Sequence, residues 1–326
     1  MEPLGHNLLA ATIFLSAAGF LSAAGFLSAA GFLSAAGFLS AAGFLSAAGF
    51  LSAAGFLSAA GRPPTSQAEE VQPQLKADSA LLDCDFEQAD WWRQWGLREQ
   101  PSNTSVVTGL GSHGDHGQIL QVVVRKGQHM GTSFAYKFRQ QLGEEPEEIY
   151  LRYDIKFDED WRHAESGGKL PGFGGTYGRA GWGGRPVDGS DGWSARGLFV
   201  SRRGGDSTDI GFYCYHADMK GKYGSHFEFT PKLVHGRWYT VKMHCKLNTP
   251  GVDSEGFDGD RGKNDGVLRG WIDGQLAFEK TDLRFRDVAS LKIENIWMNV
   301  YHGGATPVPD QDIHLYLDNV VISREP

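Results

Sequence analysis

Cysteine is scarce in this chain, since only Cys84, Cys214 and Cys245 occur among its 326 residues. Three thiols form at most one internal disulfide, and neither their number nor their spacing fits a metal site. Cys214 lies in a predicted strand, on the face opposite to its two tyrosine neighbours, so we expect a buried thiol. The sequence therefore predicts a fold that depends on its hydrophobic core rather than on disulfides or a structural metal.

Positive charge is also sparse and unevenly distributed. No Lys or Arg precedes Arg62, and the whole chain holds 31 basic and 39 acidic side chains, a net charge of −8. This balance, without any basic tract, argues against nucleic acid or an anionic membrane surface as the main partner. An anionic substrate remains compatible with it, because a local cluster of Arg and Lys can bind such a substrate on an acidic protein.

The N-terminal part of the chain is a low-complexity hydrophobic repeat. Residues 14–61 are eight consecutive copies of Phe-Leu-Ser-Ala-Ala-Gly. The stretch exceeds the ~18 apolar residues of a membrane span, yet every copy also offers the Ser-x-Ala pattern that a signal peptidase recognises. We interpret residues 1–61 as a secretory signal, with a membrane anchor formed by residues 8–61 as the alternative. We expect a secreted protein that contacts a membrane only if this segment is retained.

Residues 62–80 contain prolines among polar side chains and are predicted to be a linker. From residue 81 to residue 326 the hydrophobic pattern has a period of two, as in 149–157, which is typical of strands with one buried face. Asp273 and Gly274 are predicted to form a hairpin turn. The fold class is therefore all-β, a two-sheet β-sandwich of jelly-roll type. The predicted strands are 118–125, 130–138, 149–157, 193–201, 209–216, 237–247, 267–272, 275–280, 291–301 and 313–323.

Several catalytic patterns are missing. The chain has no Glu-x-Asp-x-x-Glu of sandwich glycosidases, no Gly-x-Ser-x-Gly, no His-Glu-x-x-His and no phosphate-binding loop. The consecutive acids at 158–160 point to different sides, so we interpret them as a solvated loop end. The acidic loop at 251–265 does not match the spacing of a twelve-residue calcium loop and is interpreted as solvated. We therefore expect neither a metal nor a cofactor.

Polar residues instead alternate with apolar residues along several predicted strands, so they lie on the face that points away from the core. Ser194 and Arg196 share one face of the predicted strand 193–201, while their neighbours point to the core. Tyr213 and Tyr215 likewise share one face of the next predicted strand, 209–216. Lys169 is the one cation of a glycine-rich segment at 167–175, which we interpret as a loop. A third strand alternates the apolar residues Ile296, Met298 and Val300 with Trp297, Asn299 and Tyr301, and His302 follows at its end beside two glycines.

Taken singly, each of these residues is explained by ordinary sheet packing. Together they predict one groove lined by Lys169, Ser194, Arg196, Tyr213 and Tyr215. This inventory suits β-elimination of a polyuronate, in which a proton leaves C5 and the glycosidic oxygen leaves C4. Arg and Lys would neutralise the sugar carboxylate, and Tyr would act as acid or base if neighbouring cations lowered its pKa. Trp297, Asn299, Tyr301 and His302 are expected to bind the sugar.

Several motifs resemble polysaccharide lyase family 14, whose members include alginate and polyglucuronate lyases with a β-jelly-roll fold. They are GGKLPG, GWSARGLF, YCY, LNTPG followed by DGVLRGWIDG, YHGG, and the closing LYLDNVVIS, and the resemblance spans about 83–324. It implies that the family's catalytic lysine is Lys169, its serine and arginine are Ser194 and Arg196, and its two tyrosines are Tyr213 and Tyr215. The interval between Arg196 and Tyr213 and the loop at 251–265 both look longer than usual for the family.

Two other classes of function compete with a lyase. The first is a non-catalytic carbohydrate-binding sandwich, in which Trp297 and Tyr301 stack on sugar while the tyrosines only form hydrogen bonds. The second is a structural or adhesion domain tethered by the N-terminal repeat, for which no self-assembly motif is present. The pairing of tyrosines with cations favours an enzyme. The expected partner is an anionic polysaccharide, and the expected state is a monomer.

Overall fold

The computed structural model of the protein describes residues 80–326, apart from residues 112, 113, 115, 163, 165, 202–204, 252–260 and 306. The predicted signal or anchor at 1–61, all but the last residue of the predicted linker, and most of the acidic loop lie outside the described residues. Among the residues that are described, no helix has both the length and the apolar character to cross a membrane.

Strands dominate the described part of the chain, where fifteen are present and every pairing between them is antiparallel. The helical elements described are a 3₁₀ turn at Trp91–Trp95 and a five-residue helix, α1, at Phe138–Leu142. In chain order the strands are β1 Ala80–Cys84, β2 Thr104–Leu110, β3 His116–Val124, β4 Met130–Lys137, β5 Glu148–Phe157, β6 Gly168–Gly175, β7 Trp193–Val200, β8 Ser207–Tyr215, β9 Ser225–Glu228, β10 Leu233–Val234, β11 Tyr239–Lys246, β12 Gly266–Ile272, β13 Gln275–Leu283, β14 Asn295–His302 and β15 Ile313–Ser323.

The described strands form two sheets. The eight-stranded sheet has the order β13-β12-β11-β5-β15-β3-β2, with β1 paired to β15. The seven-stranded sheet has the order β10-β8-β7-β6-β14-β4, with β9 paired to β8. Each sheet combines pairs of consecutive strands with pairs that are distant in sequence, such as β5–β15 and β14–β4, as expected for a jelly roll rather than for a simple meander. The predicted two-sheet sandwich is confirmed.

Large apolar side chains from both sheets fill the space between them. Phe157 of β5 and Phe199 of β7 lie with ring centroids 6.1 Å apart, which joins the two sheets directly. On β7 the core side chains alternate with polar ones, because successive residues of a strand point to opposite faces. Trp193, Ala195 and Phe199 are fully buried in the core. The intervening residues, including Ser194 and Arg196, therefore lie on the outer face of the seven-stranded sheet.

All ten predicted strands are present, and the largest shift is at β14, which begins at Asn295 rather than at residue 291. The predicted hairpin is confirmed, since Asp273 (φ 48°) and Gly274 (φ 79°) join β12 to β13 with the positive φ angles of a type I′ turn. The sequence pattern predicts neither β6 nor four other strands, β1, β2, β9 and β10. These four strands are short or lie in polar sequence, where the period-two signal is weak.

The glycine-rich segment around Lys169 is a strand, not the predicted loop. It forms β6, in which every residue is buried, between β7 and β14. A register irregularity between Leu170 and Phe173 accommodates Pro171, which cannot donate to a regular ladder. A Cβ atom at Gly172 would lie 2.6 Å from the Cα of Arg196. The glycines therefore allow close packing of β6 in the sheet, a requirement that composition does not reveal.

Candidate active site

The outer face of the seven-stranded sheet carries five of the predicted residues, and we call it the polar face. In the β7–β8 pairing Ser194 lies opposite Tyr215, and Arg196 lies opposite Tyr213. Directly paired antiparallel residues point to the same side, so these four side chains share one face. The irregularity in β6 leaves Lys169 on this face as well, beside Tyr213. The sequence pattern therefore predicted the shared face correctly.

Lys169, Arg196 and Tyr213 converge at its centre. The Lys169 Nζ atom lies 3.5 Å from the centroid of the Tyr213 ring, and the Arg196 guanidinium carbon lies 5.8 Å from the same centroid. Their side chains remain slightly accessible, with exposed fractions of 8 % for Lys169, 6 % for Arg196 and 7 % for Tyr213. Two basic side chains and a phenol thus meet where little water reaches, and electrostatic interactions are stronger there than in solvent.

Burial changes the protonation of these groups. Desolvation, with a smaller contribution from the charge of Arg196, lowers the pKa of Lys169 to about 7. Desolvation also lowers the pKa of Arg196 to about 10, which leaves the guanidinium charged at neutral pH. The pKa of Tyr213 is raised, first by burial and then by its hydrogen bond with Tyr215, against a smaller opposing effect of Arg196. The expected lowering by a cation is present, from Arg196, but burial and Tyr215 outweigh it, so the pKa of Tyr213 is not lowered overall.

Ser194 and Tyr215 are fully buried and hold the β6–β7 connection, residues 176–192, over this part of the sheet. The Ser194 hydroxyl donates to the carbonyl oxygen of Gly181 at 2.6 Å. The Tyr215 hydroxyl accepts from the backbone N–H of Gly184 at 3.0 Å. Both predicted catalytic hydroxyls are thus engaged with main-chain atoms of the connection, unlike Tyr213.

Strand β14 contributes side chains next to Arg196. The Asn299 Oδ1 atom accepts a hydrogen bond from Arg196 Nη1 at 3.0 Å, and the Trp297 ring lies 4.7 Å from the guanidinium carbon. Tyr301 lies opposite Lys169 in the β14–β6 pairing and is half-buried. These three residues lie on the polar face, where the alternation with Ile296, Met298 and Val300 predicted them.

His302 does not join them. Its side chain is 1 % exposed, and its ring lies 6.0 Å from each of the rings of Trp161 and Phe199. The Nε2 atom is 3.3 Å from the carbonyl oxygen of Arg162. The sequence analysis placed His302 in the groove because of its position beside two glycines. The period of two puts it instead on the same side as Val300, toward the core, so that placement is wrong.

His226 also lies on the polar face beside Tyr213, where the sequence pattern does not predict it. Strand β9 pairs with β8 so that His226 lies opposite Tyr213, and the two rings are 5.3 Å apart. His226 is exposed. Its only sequence signal was alternation with Phe227 over four residues, which is too short to identify a strand.

Other chemically notable groups lie away from this face. All three cysteines are free and buried, and burial raises the pKa of Cys214, which confirms the predicted buried thiol. Near the end of β5, the carboxylates of Asp158 and Asp160 and the ring of His314 lie within 4.8 Å of one another. Internal hydrogen bonds occupy this group, since His314 Nδ1 is 2.6 Å from Asp160 and the Tyr316 hydroxyl donates to Asp158 at 3.0 Å. These bonds connect β15 to the chain segment that follows β5.

Comparison with solved structures identifies proteins of the same fold. The alginate lyase Aly36B aligns with a TM-score of 0.57 at 20 % identity, covering 74 % of this chain and 96 % of that one. The marine PL-14 alginate lyase from Aplysia kurodai aligns with a TM-score of 0.55 at 18 % identity, covering 76 % of this chain and 100 % of that one. The alginate lyase vAL-1 from Chlorella virus aligns with a TM-score of 0.51 at 17 % identity, covering 70 % and 92 %.

A comparison with curated protein sequences gives no match. The profile of one protein family, Polysaccharide lyase 14, matches residues 115–320, which is more than half of the chain. This range contains every residue of the polar face described above. The chain therefore belongs to the polysaccharide lyase 14 family and is a polysaccharide lyase.

Proposed function

We propose that the protein cleaves a polyuronate, of the alginate or glucuronan type, by β-elimination at the polar face. The observation that carries this proposal is the convergence of Lys169, Arg196 and Tyr213, which brings a fixed cation, an amine that titrates near neutral pH and a neutral phenol together where little water reaches. A uronate is the sugar class that requires fixed positive charge beside the reacting carbon. Alginate is also the substrate in the names of the three lyases of similar fold, and structures of Aly36B mutants are known in complex with an alginate trisaccharide and an alginate tetrasaccharide.

In the proposed reaction Arg196, oriented by Asn299, binds the sugar carboxylate. Its charge stabilises the negative charge that develops when the C5 proton leaves, and such preorganised stabilisation is usually the largest single contribution to catalysis. The C5–H electrons form the C4=C5 double bond, and the bond from C4 to the glycosidic oxygen breaks. That oxygen then needs a proton.

The pKa directions favour a division of the acid and base roles. Lys169, with a pKa of about 7, is unprotonated in roughly half of the molecules at neutral pH and is suited to accept the C5 proton. Tyr213, whose pKa is raised, keeps its proton and is suited to donate it to the leaving oxygen. Tyr215 and Ser194 would act as positioning residues, through Tyr213 and the 176–192 connection. This assignment moves the base role from a tyrosine to the lysine.

Both reacting groups lie on the same face of the sheet, with Lys169 Nζ 3.5 Å from the Tyr213 ring centroid, so we propose that the proton is removed and delivered on the same side of the sugar. In β-D-mannuronate and β-D-glucuronate the C5 hydrogen and O4 are on the same side of the ring, whereas in α-L-guluronate they are on opposite sides. The proposed substrates are therefore polymannuronate or polyglucuronate.

The decisive assay incubates the purified protein with alginate, polymannuronate, polyguluronate and polyglucuronate and follows the ultraviolet absorbance of the C4=C5 product. Tyr213→Phe is the control for contaminating lyase. A protein that binds one of these polymers without producing this absorbance would instead be a carbohydrate-binding module.

We also propose that residues 1–61 direct secretion or anchor the protein at the surface, and that it acts as a monomer. Fractionation of expressing cells with N-terminal sequencing of the product tests the first, and light scattering during size-exclusion chromatography tests the second. An intact N-terminus in the soluble intracellular fraction, or a mass of two chains, would contradict the respective proposal.

A further inference from the structure

A second pocket opens on the same side of the seven-stranded sheet, beyond Trp297. Its volume is about 420 Å³, and it lies between β4, β14 and the end of the 3₁₀ turn. Aromatic and aliphatic side chains line it together with amide, hydroxyl and ammonium groups, the mixture of apolar surface and a few polar groups that is typical of small-molecule sites. The lining residues are Trp95, Ser133, Lys137, Gln140, Asn295 and Trp297, with five further neighbours.

Lys137 and Asn295 lie directly opposite each other in the β4–β14 pairing, so both side chains point into the pocket from its floor. Lys137 is exposed, and none of the ion pairs among the described residues involves it. The neighbouring carboxylate of Glu294 accepts a hydrogen bond from the backbone N–H of Tyr177 at 2.8 Å. Lys137 is therefore the cation that the pocket offers to a ligand.

Asn295 supplies the second observation. It is 7 % exposed, and its Oδ1 atom is buried without a hydrogen-bond partner among the described residues. A buried amide oxygen without a partner is costly unless a ligand or water satisfies it. A Cβ atom at Gly174 would lie 2.7 Å from this oxygen, so the glycine of β6 leaves the space that the amide occupies.

Trp297 links this pocket to the reaction centre. Its ring lies 4.7 Å from the Arg196 guanidinium carbon, and its indole N–H donates to Ser133 Oγ at 3.0 Å, which fixes the orientation of the ring. Lys137 on β4 and Arg196 on β7 are separated by β14 and β6. Three strand spacings correspond to roughly 14 Å. One sugar ring cannot bridge this distance, but a short oligosaccharide crossing the strands can.

We infer that this pocket is a distal subsite that binds a uronate unit of the same polysaccharide chain, away from the bond that is cleaved. Lys137 binds the carboxylate of that unit, Asn295 Oδ1 accepts a hydrogen bond from one of its hydroxyl groups, and Trp297 packs against the sugar between the two cations. The inference rests on the proposed function, since it requires a uronan lying across the sheet.

The test compares kcat/KM on a series of uronate oligosaccharides of increasing length and on the polymer. For the wild-type protein, kcat/KM should rise with length until the chain reaches the pocket. Lys137→Met should remove the last part of this rise, lowering kcat/KM on long chains by about fivefold to tenfold through KM, with kcat and the rates on the shortest substrates unchanged. Lys137→Arg should restore most of the rise because it restores the charge.

Lys246→Met is the matched control, since it removes an exposed lysine from the eight-stranded sheet, where Lys246 makes only a 3.7 Å contact with Glu148. It should leave the length dependence unchanged. An identical length dependence in wild type and Lys137→Met overturns the distal subsite while leaving the proposed function intact. A wild-type protein that cleaves no uronan refutes the proposed function, and the subsite with it.

Discussion

Replacing Lys169 by arginine separates the two roles that a lysine can have at this site. Arginine keeps the positive charge but does not lose its proton at accessible pH. If Lys169 accepts the C5 proton, Lys169→Arg should lower kcat by two to four orders of magnitude, the usual size of a general-base contribution. If Lys169 only neutralises charge, the variant should keep most of its activity.

The pH dependence of kcat/KM for the wild-type protein tests the base role of Lys169 independently. A base with a pKa of about 7 is active when unprotonated, so kcat/KM should be nearly maximal above pH 8 and should fall as the pH decreases through 7. At pH 6 roughly one tenth of the molecules would carry the neutral amine, and each further unit should lower kcat/KM about tenfold.

Initial rates from the ultraviolet absorbance of the unsaturated product, measured between pH 5 and pH 9 at constant ionic strength, provide both tests. Far-ultraviolet circular dichroism and thermal melting confirm that Lys169→Arg is folded. Two results would refute the reasoning: a variant within about tenfold of the wild-type kcat, or a wild-type kcat/KM that does not decrease between pH 8 and pH 6.

Four other outcomes are expected. Tyr213→Phe should lower kcat at least about a hundredfold, whereas Tyr215→Phe, which removes the hydrogen bond to the Gly184 N–H, should lower the melting temperature and reduce kcat less. Equal kcat losses would contradict the positioning role. Initial rates should be higher on polymannuronate or polyglucuronate than on polyguluronate, and the reverse order would reject same-side elimination. Lys169→Met should melt at a higher temperature than wild type at pH 7, because the folded-state pKa of Lys169, about 7, lies below the ordinary 10.5. The difference in melting temperature should be full below pH 7 and vanish as the pH rises toward 10.5. A difference that does not change with pH would count against the lowered pKa. Gly172→Ala should lower the free energy of unfolding by about 1–3 kcal/mol, because the new Cβ would lie 2.6 Å from backbone atoms. Gly221→Ala should change the free energy of unfolding little, because its Cβ would lie 3.6 Å from the nearest atom. Chemical denaturation of both variants measures this.

Much of the site was predictable because successive side chains of a regular strand point to opposite faces of the sheet. The alternation of Ser194 with Ala195 and of Tyr213 with Cys214 is sufficient to place the polar residues on one face, and the pairing of β7 with β8 then brings Arg196 to Tyr213. The same rule, applied one residue further, would have assigned His302 to the core.

The remainder depends on long-range structure. Whether Gly172 and its neighbours form a loop or a tightly packed central strand depends on how close the backbone of Arg196 approaches, which the segment itself does not encode. The pKa of Tyr213 depends on burial as well as on the charge of Arg196, and only the nearby charge can be predicted from the sequence. The contacts that bury Ser194 and Tyr215 come from the 176–192 connection, which has no periodic pattern.

That connection has a consequence for how the enzyme can change. The hydrogen bonds that Ser194 and Tyr215 make to it end on main-chain atoms, the carbonyl of Gly181 and the amide of Gly184. Every residue except proline supplies both of these main-chain groups, so the side chains of Trp182 and Arg185 are not needed for these two hydrogen bonds. A library randomised at those two positions would therefore sample new contacts to the incoming polysaccharide on an unchanged scaffold, which makes the connection a natural place to engineer substrate preference.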